Sequence, residues 1–294
     1  MIHADHKLAF RLEGLICAEY RRLAEVGGRV LPYAGAEAID VAGGVALWLG
    51  KDSPVNGAVG LGMAGPVDDA EVVRLEAFYR QRGAPAVTSI CPLADPSVLD
   101  ALGRRGWRPT QFEHVLAVEL AGRPHSGEFP PEPRGCFAPG ASGAPGPSRE
   151  IFPEVRIPEV RVCTDQERET WAHLATLGFA DGQPSTPAHE EFGRIMAARE
   201  DGMLVMGWVD GEPAGTGALV IQGGVGWLSG DSTVPRFRRR GVQQAIQRYR
   251  LRLAREAGCE LAVTEAAPGG ASQRNMERLG FRIVFTHVEF VKSL

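Results

Sequence analysis

A chain of 294 residues is long for one hydrophobic core and ample for two, because single cores stop growing near about 250 to 300 residues. Its 44% hydrophobic and 23% charged content is ordinary for a globular protein, and no apolar run approaches the roughly 18 residues of a membrane span, so no membrane partner is expected. A net charge of -4 gives no overall attraction to nucleic acid, and Cys17, Cys91, Cys136, Cys163 and Cys259, odd in number and without C-x-x-C spacing, suggest neither disulfides nor a metal site. With no secretory pattern in MIHADHKLAF, a reducing cytoplasm is the expected setting.

In the first half, GLGMAG (residues 60 to 65) matches the dinucleotide fingerprint G-x-G-x-x-G, which requires a helix opening at its glycines. Pro66 and the acidic Asp68, Asp69 and Glu71 mark a later helix start, so the glycines read as a strand end. A helix then ends at Gly83, a short strand and a Pro turn follow, and a second helix ends at Gly106 before an extended apolar run carrying one His. From Arg123 to Glu159 proline and glycine dominate, with APGASGAPGPS at the centre, a composition unable to bury enough apolar surface to offset its ordering entropy. The expected division is therefore 1–122, a linker over 123–158, and 159–294.

The second half opens with a short strand at Val160 to Val162 and a helix from Asp165 to Leu177, capped by Thr164 or Asp165. A helix from His189 to Arg199 comes next, then strands at 203–209, 214–222 and 225–233, separated by the turn signals DGE and GG. An arginine-led helix is expected over 238–257, a strand over 260–265, a helix over 271–279 and a last strand over 281–291. FYRQRGAPAVTSICPLAD (78–95) lies over LAREAGCELAVTEAAPGG (253–270) in the same helix–strand–turn order, and the two segments ending at Leu120 and Leu294 also correspond. The pattern is a duplicated α+β unit with mixed sheets and flanking helices.

STVPRFRRRGVQ (232–243) places four arginines at a helix start, where the unpaired N–H groups normally attract Asp or Glu. With Gly241 allowing close backbone approach and guanidiniums adding charge-assisted bonds of roughly 1.5 to 3 kcal/mol each, the segment suits a phosphate; the competing reading is a solvated basic helix face. At the equivalent place the first half reads MAGPVDD (63–69), whose carboxylates suit the helix dipole and repel phosphate.

The strand end, Pro and R-x-x-G-x-Q loop, followed by SQRNMERLGFRIVF (272–285), resemble the GNAT superfamily of acyl-CoA N-acyltransferases over about 159–294. The resemblance implies two GNAT-like domains, the first a degenerate copy without the loop, with acetyl-CoA as co-substrate and no metal. It implies coenzyme contacts from Thr233, Val234, Arg238, Arg239, Arg240, Gly241, Val242, Gln243, Ser272 and Asn275. Backbone N–H groups near Thr233 and Val234 would meet the pantetheine arm and the thioester carbonyl. Gln243 replaces the commoner Gly or Ala, and Met276 stands where many members carry the Tyr that protonates the leaving thiolate. Since a thiol of this kind has a pKa of about 8.5, the thiolate can leave without an acid.

The reaction implied is direct attack of an amine of a small molecule or protein on the thioester. Asp231, two residues from Thr233 on one strand face, is the first choice of base and Glu265 the second, against a water chain. Asp231 could equally close SGDS as a turn residue, Glu265 could pair with an arginine, and Ser272 could cap its helix. The acceptor pocket falls to Trp171, Phe179, Asp181 and His189, an aromatic and acidic set suited to a cationic amine, although Trp171 and Phe179 also read as core. The rival from another class is a coenzyme A-binding regulatory module without turnover. A nucleic-acid-binding domain is disfavoured by the net charge.

Overall fold

The computed structural model describes residues 2, 4–120, 158–180 and 182–293. Its first helix, α1 (His6–Val30), was not anticipated, although its start follows from Asp5, whose carboxylate accepts the Leu8 N–H at 2.8 Å. Apolar positions Ala9, Leu12, Ile16, Leu23 and Val26 recur at helical spacing and are all buried. Strands β1 (Glu37–Val41), β2 (Gly44–Trp48) and β3 (Gly57–Val59) follow. Next come α2 (Asp69–Arg80), β4 (Ala86–Ile90), α3 (Ser97–Arg104) and β5 (Arg108–Glu119). GLGMAG lies in the turn after β3, and α2 starts beyond it with Asp68 as its cap, so the dinucleotide fingerprint has no helix to open.

The second half begins with β6 (Glu159–Val162), α4 (Arg168–Phe179) and α5 (Pro187–Ala197). Strands β7 (Gly202–Val209), β8 (Glu212–Gln222) and β9 (Val225–Thr233) lead to α6 (Val242–Glu256), β10 (Leu261–Ala266), α7 (Ala271–Arg278) and β11 (Arg282–Lys292). Thr164 closes a capping box with Glu167 ahead of α4, so Thr164 takes the cap position. The arginine-led helix starts at Val242, four residues later than expected from 238, because Pro235–Phe237 forms a 3-10 turn first.

Among the described residues, eleven strands form one mixed sheet in the order β1-β2-β3-β4-β11-β5-β10-β9-β8-β7-β6. The last strand of each half has therefore crossed into the other. β11 pairs antiparallel with β4 from Val288↔Ile90 to Lys292↔Ala86, and β5 pairs antiparallel with β10 from Leu261↔Glu119 to Ala266↔His114. The two exchanged strands pair with each other along their length, Arg282↔Ala117 to Val291↔Arg108. The sheet does not divide at the sequence boundary between the halves; the proposed linker lies almost wholly outside the described residues.

Period-two alternation distributes the central strands between two layers. Val115 and Ala117 of β5 pack with Ala9 and Leu12 of α1, whereas Leu116 and Val118 pack with Leu251 of α6 and Met276 of α7. Helix α1 crosses the join: Ala9 and Leu12 touch the centre, Ile16 and Cys17 touch β2 and β3, and Leu23 and Val26 share a cluster with Trp171 and Ile195. Arg199, 2% exposed, ties α1 to the second half through Glu19 and is also paired with Asp201 at 2.9 Å.

Since β4 and β10 each lack a neighbour without the other half's strand, residues 1–120 and 158–294 made as separate chains should be insoluble alone and co-purify as a stable pair when co-expressed. Two independently soluble fragments on size exclusion would contradict the exchange.

Candidate active site

Strands β9 and β10 are parallel, and their rungs are Leu261↔Val225, Ala262↔Gly226 and Val263↔Trp227. Thr264 Oγ1 then donates to the Leu228 carbonyl at 3.0 Å, after which β9 runs on to Thr233 as β10 diverges. A bulge helps to turn β9 aside: Thr216 faces Ser232 while Ala218 faces Ser229, one extra residue absorbed around Gly230 at φ +64°. The parting strands leave a wedge at their carboxyl ends, where ligands of parallel sheets commonly bind.

At the mouth of this wedge the chain forms the 3-10 turn and reaches α6 through two left-handed residues, Arg239 at φ +63° and Gly241 at φ +77°. A non-glycine residue in that region costs roughly 1–2 kcal/mol. Helix α6 has neither a side-chain cap nor an acidic residue in its first turn, so the unpaired N–H groups of its start face outward beside the exposed Arg239 and Arg240. The Cβ direction of Gly241 has no atom within 4 Å. Helix α2, at the corresponding place in the first half, is filled by its own acids: Asp68 Oδ1 accepts the Glu71 N–H at 2.9 Å, and Glu71 accepts the Ala42 N–H at 2.6 Å. The α6 turn thus fits a diphosphate and the α2 turn does not.

Neighbouring side chains shape the cradle. Asn275 Nδ2 donates to Gln243 Oε1 at 2.7 Å, joining α7 to the first turn of α6. Arg238 donates to the Thr233 and Gly178 carbonyls at 3.3 and 3.4 Å, holding the loop to the end of α4. Ser272 is half-buried in α7, whose cap is Gly270, so the capping alternative for Ser272 does not apply. Arg240 lies 3.9 Å from Asp210, both of them exposed.

Three sequence-based roles need correction. The Val234 N–H donates to the Ala214 carbonyl at 3.0 Å and is not offered to a thioester. Asp231 is paired with Arg250, which is fully buried and also donates to the Ala218 and Ser229 carbonyls at 2.8 and 2.9 Å. This carboxylate neutralises a buried cation and is not disposed as a base. Trp171 is 1% exposed and donates its indole N–H to the Val205 carbonyl at 3.1 Å, making it core and not pocket wall. Met276 is fully buried against Leu279 and Phe281, so its position presents no group to a leaving thiolate.

On the acceptor side, Phe179 is exposed at the end of α4, and Asp181 lies outside the described residues. His189 lines a cavity of about 730 Å³ between the halves, with Tyr33, Trp48, Lys51 and Asp52 from the first half and Glu191 from α5. The Tyr33 hydroxyl donates to Glu191 at 2.7 Å. Contacts connect this cavity with the wedge: Thr176 reaches the His189 carbonyl, and Gly178, two residues on, packs so closely on Ser232 that a Cβ would lie 2.4 Å from its Oγ.

Glu265 lies at the end of β10 on the α1 face, its side chain 28% exposed and 3.5 Å from His287 Nδ1. The other ring nitrogen of His287 meets Glu13 of α1 at 2.5 Å, and both residues are almost completely buried. Burial pushes the His287 pKa down, but Glu13 and Glu265 together overcome this and raise it to about 10. Sequence reasoning missed His287, Glu13 and Arg250; the single His of the closing strand was visible, but not its neighbours from α1 and β10.

The site thus combines a sheet opened at a bulged strand with an arginine-flanked helix start at the opening. The acetyltransferase (GNAT) family matches residues 168–281, and the chain carries a GNAT domain there. In structure the chain is similar to a GCN5-related N-acetyltransferase from Kribbella flavida, at 20% identity over 94% of this chain and 96% of that one, with a TM-score of 0.58. It is also similar to a GCN5-related N-acetyltransferase from Sphaerobacter thermophilus (17%, 87% and 75%, 0.54) and to a tandem GNAT protein from the clavulanic acid biosynthesis pathway (14%, 92% and 87%, 0.56). At these identities the likeness concerns the fold. No curated protein matches the chain in sequence. Among the described residues no helix is long and apolar enough to cross a membrane, and no cluster of three metal-ligating side chains occurs.

Two outcomes follow from the buried pairs. Asp231→Ala strands Arg250 in the core and should lower stability by about 3–5 kcal/mol in urea unfolding; unchanged stability with lost turnover would restore Asp231 as a base. Because the folded pKa of His287 is raised above the unfolded value of about 6.5, its stabilisation is complete below that pH and is lost as pH rises toward about 10. The Tm of wild type should therefore drop more between pH 6.5 and 9.5 than that of His287→Gln.

Proposed function

We propose that this protein transfers an acetyl group from acetyl-CoA to a primary amine of a small molecule or protein, by direct attack with both substrates bound. The observation that carries the reading is the uncapped start of α6, free of acidic residues and flanked by Arg239 and Arg240 where β9 and β10 part. The backbone N–H groups at Gly241, Val242 and Gln243 and the guanidiniums of Arg238, Arg239 and Arg240 hold the diphosphate. The Gln243–Asn275 bond braces the cradle from α7, beside Ser272. Thr233, at the end of β9, guides the pantetheine arm into the wedge.

With the thioester in the wedge, its carbon faces an amine arriving from the side of α4 and α5, past Phe179 and His189. Proton removal falls to the carboxylates of the α1 face, where Glu265 lies, since Asp231 is committed to Arg250. A second reading, coenzyme A binding without turnover, is favoured by one observation, the burial of Met276 where an acid would help thiolate release.

Acetyl-CoA should raise the Tm of the wild type, and an Arg239→Glu/Arg240→Glu variant should bind it about 10- to 100-fold more weakly by calorimetry while keeping its fold, each lost charge-assisted contact being worth about 1.5 kcal/mol or more. Unchanged affinity would refute the cradle. Thiol release and product mass over an amine panel separate transferase from binding module.

A further inference from the structure

The strand exchange brings an additional carboxylate to the carboxyl end of β10. The last rung between β10 and β5 is Ala266↔His114, so Glu113 stands one residue beyond the end of β10, at the same carboxyl end where β9 has parted from it. Its side chain shares the α1 face with Glu265, because Val115 is the partner of Glu265 and residues 113 and 115 alternate together. Directly across on β11 is His287, with Glu289 two residues further. Glu13 and Glu265 thus meet the His287 ring, and Glu113 and Glu289 share its face of the sheet.

This is more than an acidic patch. His287 and Glu13 are each nine-tenths or more buried, and His287 Nδ1 and Glu13 Oε2 have no hydrogen-bond partner although the ring points toward Glu265. Glu289 is engaged by Thr110 at 2.6 Å and Gln111 at 2.8 Å, and Glu13 is engaged by His287. Glu113, by contrast, is an exposed residue just past the end of β10, although its carboxyl group is crowded by the protein around it.

Resting on the acetyltransferase reading, we propose that Glu113, delivered by the exchanged strand of the first half, is the catalytic residue that binds the ammonium of a cationic primary amine and removes its proton. Glu265 and the His287–Glu13 pair act as positioning residues that set its environment. The ammonium gives one proton to the Glu113 carboxylate, and the nitrogen lone pair forms the C–N bond at the thioester carbon. The C–S bond then breaks, and the thiolate takes a proton. The second N–H proton leaves as the amide forms, so ammonium and acetyl-CoA give amide, thiol and one proton released to solvent.

The electrostatics agree with this placement. Crowding by protein and the nearby Glu265 and Glu289 carboxylates raise the Glu113 pKa, His287 opposes them, and the result is about 7; Tyr20 of α1 faces the same group. A base with a pKa near the working pH is the efficient case.

The test uses the full chain with acetyl-CoA and tyramine, spermidine or a lysine peptide as acceptor. Glu113→Gln is expected to keep its Tm and its KM for acetyl-CoA, to lose about 100-fold in kcat and to lose the pH limb near 7, with Glu113→Asp recovering part of the rate. Wild-type kcat and pH profile in Glu113→Gln would overturn the assignment. So would a ¹³C titration of the Glu113 carboxyl, in the acetyl-CoA complex, at the ordinary value of about 4.3. That titration needs no acceptor and therefore decides the matter even if none of these amines is used. Failure of acetyl-CoA to stabilise the wild type would instead sink the acetyltransferase reading, a distinguishable result.

Discussion

The ladder between β5 and β11 is the constraint on which the rest of the molecule depends. Each strand ends one half in sequence and completes the other in space, so the pair joins two similar units into one sheet with a palindromic arrangement about its centre. Helix α1 reinforces the join by laying successive turns on the centre of the sheet, on β2 and β3, and on the layer of α4 and α5. The first half is therefore structural material of the second. It supplies β5, the neighbour without which β10 would be an edge, and it supplies one wall of the cavity beside His189.

The two halves also show one physical choice made in opposite ways. A helix start after a strand carries a partial positive charge that something must satisfy. In α2 the chain satisfies it with Asp68, Asp69 and Glu71; in α6 it omits acids and places arginines ahead of the helix. The left-handed Arg239 lies in the same turn, where a small backbone strain is retained.

Much of the second half was legible because its signals are local. The turn signals DGE and GG correspond to left-handed Asp210, Gly211, Gly223 and Gly224, which set the two hairpins, and the phosphate-type loop is made of consecutive residues. What was not legible is long-range. Alternation in the closing strands shows which residues share a face but not which strand lies alongside, so the exchange and the meeting of Glu13, Glu113, Glu265 and His287 left no mark readable in either segment alone. The pairing of Asp231 was not legible because the bulge at Gly230 interrupts the local geometry and its partner Arg250 comes from the next helix. For Trp171, burial favours the core reading over the pocket reading. Helix α1 had a readable start in Asp5 and a readable apolar stripe; it had no counterpart in the repeat that organised the reading.

The exchange also fixes an order of events at the ribosome. When β4 has emerged, the partner for its open side does not yet exist, and β5 likewise emerges before either strand that will flank it. Both wait until α6, α7 and finally β11 have been made. Translation of this chain is thus accompanied by a long interval in which the early strands display unpaired edges, the condition under which nascent chains recruit holding chaperones, and maturation of both units coincides at the arrival of residues 282–292.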